Sequence, residues 1–165
     1  MTRVDFYVLP DTTGEARLAF ACRIAEKAYS QAHRVYLHAS SAAEAERLDA
    51  LLWTFRDTSF VPHALAGTAF PAANLPPVLI GHEDGHADDF LAAETGTLIS
   101  PGEINVPVSV LINLSEDVPG FHDRFARVAE VVDADAGRRH RSRERFRAYR
   151  AHGCLLETHR LPAHG

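Results

Sequence analysis

Hydrophobic and polar positions alternate at the start of the chain. Val4, Phe6 and Val8 fall on one side, Asp5 and Tyr7 on the other. A period of two predicts a β-strand over residues 3–9. The period then changes: Leu18, Cys22, Ala25 and Tyr29 recur at helical spacing, and Thr12 and Glu15 stand three apart as a capping box. The helix they open should run to about Ala32. Arg34 to His38 predicts a second strand. Ser41 and Glu44 form another capping box, and the helix behind them carries Ala45, Leu48, Leu51 and Leu52 and ends near Trp53. A strand–helix–strand–helix opening predicts parallel strands joined by crossover helices.

The pattern continues less regularly. A loop holds Asp57 to His63, and Pro76-Pro77-Val78-Leu79-Ile80 predicts the next strand. Residues 81–107 are rich in glycine, histidine and acids and read as mostly irregular. Val108 to Ile112 predicts a buried strand. Pro119 to Arg127 predicts a helix with Phe121 and Phe125 one turn apart, and Val128 to Val132 another strand. Arg138 to His152 predicts a long arginine-rich helix stopped by Gly153. Leu155-Leu156-Glu157-Thr158 would add an edge strand. No repeat, linker or low-complexity tract interrupts the chain, so one α/β domain spanning 1–165 is expected.

Composition supports this reading. A chain of 165 residues can bury a core without staples, and 46% hydrophobic with 24% charged residues is the balance of a folded soluble protein. No stretch approaches the roughly 20 apolar residues of a membrane helix. The N-terminus enters a strand-like pattern without the layout of a signal peptide, so a cytoplasmic location and no membrane partner are expected. Cys22 and Cys154 share no motif and read as reduced, buried apolar side chains.

Charge adds an asymmetry. Residues 138–150 carry seven arginines against one acid, Glu144, which leaves −11 on the other 152 residues. The expectation is one basic face on an acidic protein.

Candidate chemistry is sparse. No G-x-G-x-x-G and no Walker-type loop is present, and Gly14 alone reads as relief of crowding at a helix start. No cofactor is expected. The run His82-Glu83-Asp84-Gly85-His86-Ala87-Asp88-Asp89 is dense in metal-ligating types, so a metal-dependent hydrolase using His82, His86, Asp88 or Asp89 is one reading. The spacing does not match H-E-x-x-H, and Gly85 argues against a helix aligning the two histidines. A solvated polar loop is the preferred alternative. Ser59 and His63 could pair as nucleophile and base, but no G-x-S-x-G elbow supports them.

Two constellations read as binding surfaces. Trp53, Phe55, Phe60, Val61 and Pro62, with His63 beside them, form an aromatic cluster at a helix end and loop, suited either to an interface or to capping the core. In the arginine-rich helix, Arg139, Arg143, Arg147 and Arg150 share a face with Phe146, while Arg138, Arg141 and Arg145 form a neighbouring ridge. Such a face suits a polyanion or an acidic peptide whose carboxylates are gripped bidentately. Phe146 and Tyr149 would supply an apolar wall. Direct nucleic-acid binding, with arginines on phosphates and Phe146 or Tyr149 stacking bases, is the competing use of the same helix.

At these constellations the chain resembles the chi subunit family of bacterial DNA polymerase III. The resemblance runs through Val4-Asp5-Phe6-Tyr7-Val8-Leu9, Leu52-Trp53, Ser59-Phe60-Val61-Pro62-His63-Ala64-Leu65-Ala66-Gly67, Pro77-Val78-Leu79-Ile80, Val110-Leu111-Ile112-Asn113-Leu114 and Glu130-Val131-Val132-Asp133. It ends in Arg143-Glu144-Arg145-Phe146-Arg147-Ala148-Tyr149-Arg150. The Phe-Val-Pro-His and Arg-Glu-Arg-Phe-Arg-Ala-Tyr-Arg runs are its specific parts. The resemblance implies a Rossmann-like three-layer α/β/α sandwich with a mostly parallel mixed sheet. It implies a non-catalytic accessory subunit that links the clamp-loader complex, through the psi subunit or an equivalent partner, to the acidic C-terminal tail of single-stranded DNA-binding protein. Contact with nucleic acid would then be mainly indirect. The tail would meet Arg139, Arg143, Phe146, Arg147, Tyr149 and Arg150, with Arg143 on the terminal carboxylate. Trp53, Phe55, Phe60, Val61, Pro62 and His63 would face psi or a helicase partner. Residues 83–107 look like an insertion loop relative to shorter members, and the last helix carries arginine where relatives mix lysine and arginine.

Overall fold

Alternation at the N-terminus does produce a strand, β1 (Arg3–Val8), with Val4 and Phe6 buried on one face and Asp5 buried on the other. A computed structural model describes residues 2–10, 13–54, 61–67, 76–92 and 109–162. After β1 come α1 (Gly14–Ser30), β2 (Arg34–His38), α2 (Ala42–Thr54), β3 (His63–Leu65), β4 (Val78–Gly81), α3 (Asp84–Ala92), β5 (Ser109–Asn113), β6 (Arg127–Val132), α4 (Ala136–Ala151) and β7 (Leu155–Arg160).

The strands form one sheet in the order β3-β4-β2-β5-β6-β1-β7, and every described pairing is parallel, so the sheet is not mixed. Parallel strands need crossovers, and the helices cover both faces. On one face α1 and α2 lay Leu18, Cys22, Leu48 and Leu52 against Val35, Leu37, Ile80 and Ile112. On the other, α3 and α4 contribute Phe90, Leu91 and Tyr149, which pack with Phe6, Tyr36, Leu79 and Leu111. This is the expected three-layer α/β/α sandwich. Among the described residues no helix is long and apolar enough to cross a membrane.

Local chemistry explains the helix boundaries. Ser41 Oγ accepts the Glu44 N–H at 3.1 Å, and Glu44 reaches back to the Ser40 N–H at 3.0 Å, a capping box displaced by one residue on its return bond. The first helix is not capped this way. Its N-cap is Thr13, with no side-chain cap bond, and Thr12 lies outside the described residues. α1 also stops two residues before Ala32, which turns into the left-handed region at φ 64°. Asp135 caps α4 through the Arg138 N–H, and Gly153 ends that helix region at φ 80°.

Three expectations are corrected. Residues 84–92 are not irregular: Ala87, Phe90 and Leu91 sit at helical spacing and bury one side of α3. Gly85 falls in the first turn of that helix, where backbone N–H groups lack intrahelical partners in any case. Residues 93–107 of the same segment, and Val108 of the strand expected after it, lie outside the described residues. The helix expected over Pro119 to Arg127 is only a 3₁₀ turn, His122–Arg124, because Phe125 is extended (φ −107°, ψ 143°); both Phe121 and Phe125 still enter the core. A short edge strand, β3, replaces the loop expected around His63.

Candidate binding surfaces

The arginine-rich helix divides into two functionally different faces. Arg138, Ser142, Arg145 and Tyr149 recur at spacings of four, three and four, which turns them toward the sheet. Arg145 is 92% buried and donates from Nε to Glu130 Oε2 at 2.9 Å, and from Nη1 to the Glu116 carbonyl at 2.9 Å. Tyr149 donates its hydroxyl to Glu130 Oε1 at 2.8 Å, and Asn113 adds a bond of 2.6 Å to the same oxygen. Burial pushes the Glu130 carboxyl up, against the pull of Arg145, Asn113 and Tyr149. Arg138 grips Asp133 through Nε and Nη2 at 2.8 and 2.6 Å, and Arg141 meets Glu116 at 2.9 Å. The ridge Arg138, Arg141 and Arg145 is therefore neutralised within the fold. Tyr149, grouped with the binding face in the sequence, is fully buried in the core.

The outer face differs. Arg143, Arg147 and Arg150 are exposed, and among the described residues none hydrogen-bonds to or ion-pairs with their guanidiniums. Arg139 is half-buried and donates to the Asp133 carbonyl at 3.2 Å. Between this face and the sheet lies a cavity of about 160 Å³. Phe6, Val8, Val132 and Phe146 form its apolar wall; Arg139, Arg143 and Arg160 stand around it, with Ser142 and Thr158. The Phe6 and Phe146 rings pack at 5.4 Å between centroids with a 58° tilt. The helix spacing pointed to Arg139, Arg143 and Phe146. It did not point to Phe6, Val8, Thr158 or Arg160, which reach the cavity through the pairing of β7 with β1 (Phe6 opposite Thr158, Val8 opposite Arg160). Arg147 and Arg150 do not line the cavity and extend the charged row beyond it.

The aromatic cluster is also resolved into parts. Trp53 is 57% exposed at the end of α2, edge-on to the His63 ring at 4.8 Å. Val61 is core, Pro62 is half-buried, and the His63 side chain is enclosed, with Nδ1 on the Val61 carbonyl at 2.6 Å and Nε2 3.3 Å from Asp49. Phe55, Ser59 and Phe60 lie outside the described residues.

The histidine-rich segment does not assemble a metal centre among the described residues. His86 Nδ1 accepts the backbone N–H groups of His82 and Glu83, so that lone pair closes the start of α3. The two rings do approach, at 5.0 Å, and the Glu83 carboxylate lies 3.8 Å from each Nε2, but Asp88 is paired with Arg124, and among the described residues these side chains do not converge closely enough to form a ligand set. The described group whose geometry could hold an ion is elsewhere: Asp5, Glu157 and His159. There burial pushes the Asp5 carboxyl up, but the hydrogen bonds it accepts from His159, Arg3 and Arg127 outweigh that and hold it below the usual value. Two guanidiniums at that carboxylate make it an ion-pair knot.

Residues 1–157 match the family model described as DNA polymerase III chi subunit, HolC. The DNA polymerase III subunit chi of Pseudomonas aeruginosa is 41% identical over 163 residues, covering 98% of this chain and 99% of that one. The corresponding subunit of Escherichia coli is 28% identical over 96% of this chain and 97% of its own length. That of Haemophilus influenzae is 25% identical over 93% and 94%. With this fold and these matches along nearly its whole length, the chain belongs to the DNA polymerase III chi subunit family of replication accessory subunits.

Proposed function

We propose that the chain is a non-catalytic adaptor that links the clamp loader, through psi or an equivalent partner, to the acidic C-terminal tail of single-stranded DNA-binding protein. The observation that carries this reading is the cavity between α4 and the β1–β7 pair. It combines an apolar slot with three guanidiniums, the chemistry required by a chain end that carries both an aromatic ring and carboxylates. The ring would lie against Phe6, Val8, Val132 and Phe146. Arg143 would take the terminal carboxylate, with Arg139 and Arg160 beside it, and Arg147 and Arg150 would meet acidic residues further up the tail.

A second feature suits an adaptor. Trp53 lies near the β3 edge of the sheet and the cavity near the β7 edge. Six strand spacings separate those edges, roughly 29 Å, so two partners can sit on the protein at once. Trp53, with Phe55 and Phe60 close to it in sequence, would serve psi, an equivalent subunit or a helicase.

The experiment is fluorescence anisotropy with a labelled acidic peptide ending in phenylalanine, using wild type and Arg143→Ala. Micromolar affinity is expected, about −8 kcal/mol. It should weaken with salt, and both Arg143→Ala and deletion of the terminal phenylalanine should reduce it. Absence of peptide binding, with oligonucleotide retained at moderate salt, would transfer the arginine row to phosphates. Salt-independent peptide binding would also count against the proposal.

A further inference from the structure

A separate cavity opens outside the carboxyl ends of β2, β5 and β6. After β2 the chain enters α2 on one face of the sheet, whereas after β6 it enters α4 on the other. Divergence of this kind leaves a crevice at the strand ends, the position where open parallel sheets bind ligands. The cavity measures about 210 Å³ and shares only Val132 with the pocket beside β7.

Its lining is dominated by guanidiniums: Arg17 from α1 and Arg138, Arg141 and Arg145 from α4, against the carboxylates of Glu44 and Glu116. Arg138 and Arg145 are fixed by Asp133 and Glu130. The other two are held less completely. Arg141 meets Glu116 in a pair exposed on both sides, 50% and 63%. Arg17 donates to Glu44 and to the Leu114 carbonyl through its terminal nitrogens, while its buried Nε finds no hydrogen-bond partner among the described residues. A buried donor without an acceptor is rare in a folded protein and favours arrival of one.

We propose that this crevice binds the phosphate groups of a small phosphorylated ligand, whether free pyrophosphate or the phosphates of a nucleotide. Guanidinium forks match phosphate oxygens geometrically. An incoming oxyanion would displace the exposed Glu116 carboxylate from Arg141 and offer an acceptor to Arg17 Nε. The cavity is smaller than the roughly 300–1,000 Å³ that encloses a drug-sized ligand, so it takes the phosphates and leaves the remainder outside. Side chains here do the work that a glycine-rich loop does in other phosphate sites.

The test is calorimetry with the whole chain, supported by amide NMR, using pyrophosphate, ATP and a short oligothymidylate at matched ionic strength against sodium chloride. Saturable binding of pyrophosphate or ATP is expected, with the amides of Ser115, Glu116 and Arg141 moving. Arg141→Glu should weaken it about tenfold or more. Arg143→Glu, in the other pocket, should leave it unchanged. Glu116→Ala removes a competing carboxylate and should tighten binding, an effect that damage to the fold does not mimic. Equal affinity for pyrophosphate and ATP identifies the phosphates as the whole determinant; tighter ATP adds contacts outside the crevice. The proposal fails if neither binds beyond the chloride control, if only the oligothymidylate binds, if Arg143→Glu rather than Arg141→Glu abolishes binding, or if Glu116→Ala does not tighten it.

Discussion

Arg145 and Glu130 meet at 2.9 Å in the layer between α4 and β6, with 9% and 0% of their side chains exposed. The pair locks the helix that carries the outer arginines onto the centre of the sheet. Breaking such a pair from one side leaves an uncompensated charge in the interior. Arg145→Met should therefore destabilise the fold by about 3–5 kcal/mol at neutral pH. The sign of its pH dependence follows from Glu130. Burial already raises this carboxyl, and losing Arg145 raises it further. A raised carboxylate pKa makes the variant's stability fall as pH rises through the folded value. Urea unfolding at pH 5 and pH 8 should thus show the smaller deficit at pH 5.

Gly81 closes β4 directly under α3. A Cβ there would lie 2.5 Å from the Tyr36 hydroxyl and 2.6 Å from His86 Cβ. Tyr36 cannot swing aside, since its ring is packed among Phe90, Phe121 and Phe125. Gly81→Ala should cost about 1–3 kcal/mol through overpacking, read as a lower urea midpoint with an unchanged slope.

His38 is buried against Phe121, with Nδ1 3.1 Å from the Tyr36 hydroxyl. Desolvation pushes its pKa down to about 4, reinforced by His82 and His86 and opposed by Asp84. The folded state therefore keeps the ring neutral while the unfolded chain protonates it near its ordinary value. Stability contributed by His38 is present above about pH 6.5 and is lost as pH falls toward 4, at no more than about 1.4 kcal/mol per pH unit. His38→Gln should remove that component, so the wild-type and variant stability curves converge or cross as the solution is acidified. Parallel curves across this range would show that His38 does not titrate in this way.

The strands were readable because continuous apolar runs such as Val110 to Ile112 mark sheet positions buried on both faces. α3 was not, because its three core residues are interleaved with acids, a histidine and a glycine. Phe121 and Phe125 showed the opposite failure: their spacing imitated a helical stripe, yet a 3₁₀ turn followed by extended backbone buries both. In α4 the spacing correctly separated two rows of arginine. Which row is ion-paired within the fold was invisible, because the neutralising acids Glu116, Glu130 and Asp133 come from other segments. The strand wall of the cavity escaped for the same reason. Phe6 and Thr158 lie 152 positions apart and meet only through the pairing of β1 with β7.

Trp53 separates interface from core by its exposure. At 57% exposed, with its ring against His63, more than half of it faces solvent. Trp53→Ala should shift stability by no more than about 1 kcal/mol and leave peptide affinity at the β7 end unchanged. It should weaken the proposed association with the psi subunit or its equivalent in a pull-down or calorimetric titration. A large loss of stability would instead assign Trp53 to the core.

Arg143 and the terminal carboxylate of the proposed peptide can be tested as a pair. Arg143 stands at the rim of the cavity, exposed and without an internal partner among the described residues, so its removal should leave the fold intact. In wild type, amidating the peptide's chain end should cost about 1.5–3 kcal/mol, the range of a hydrogen bond to a charged group. In Arg143→Ala the same amidation should cost much less, since the contact is already gone. Non-additivity of this kind isolates the pairwise interaction from general charge attraction. Arg150→Ala supplies the control. It lies on the same row but outside the cavity, so its loss should reduce affinity through long-range charge while leaving the full cost of amidation. Equal amidation costs in wild type and Arg143→Ala would place the terminal carboxylate on another cation, with Arg139 and Arg160 the next to substitute.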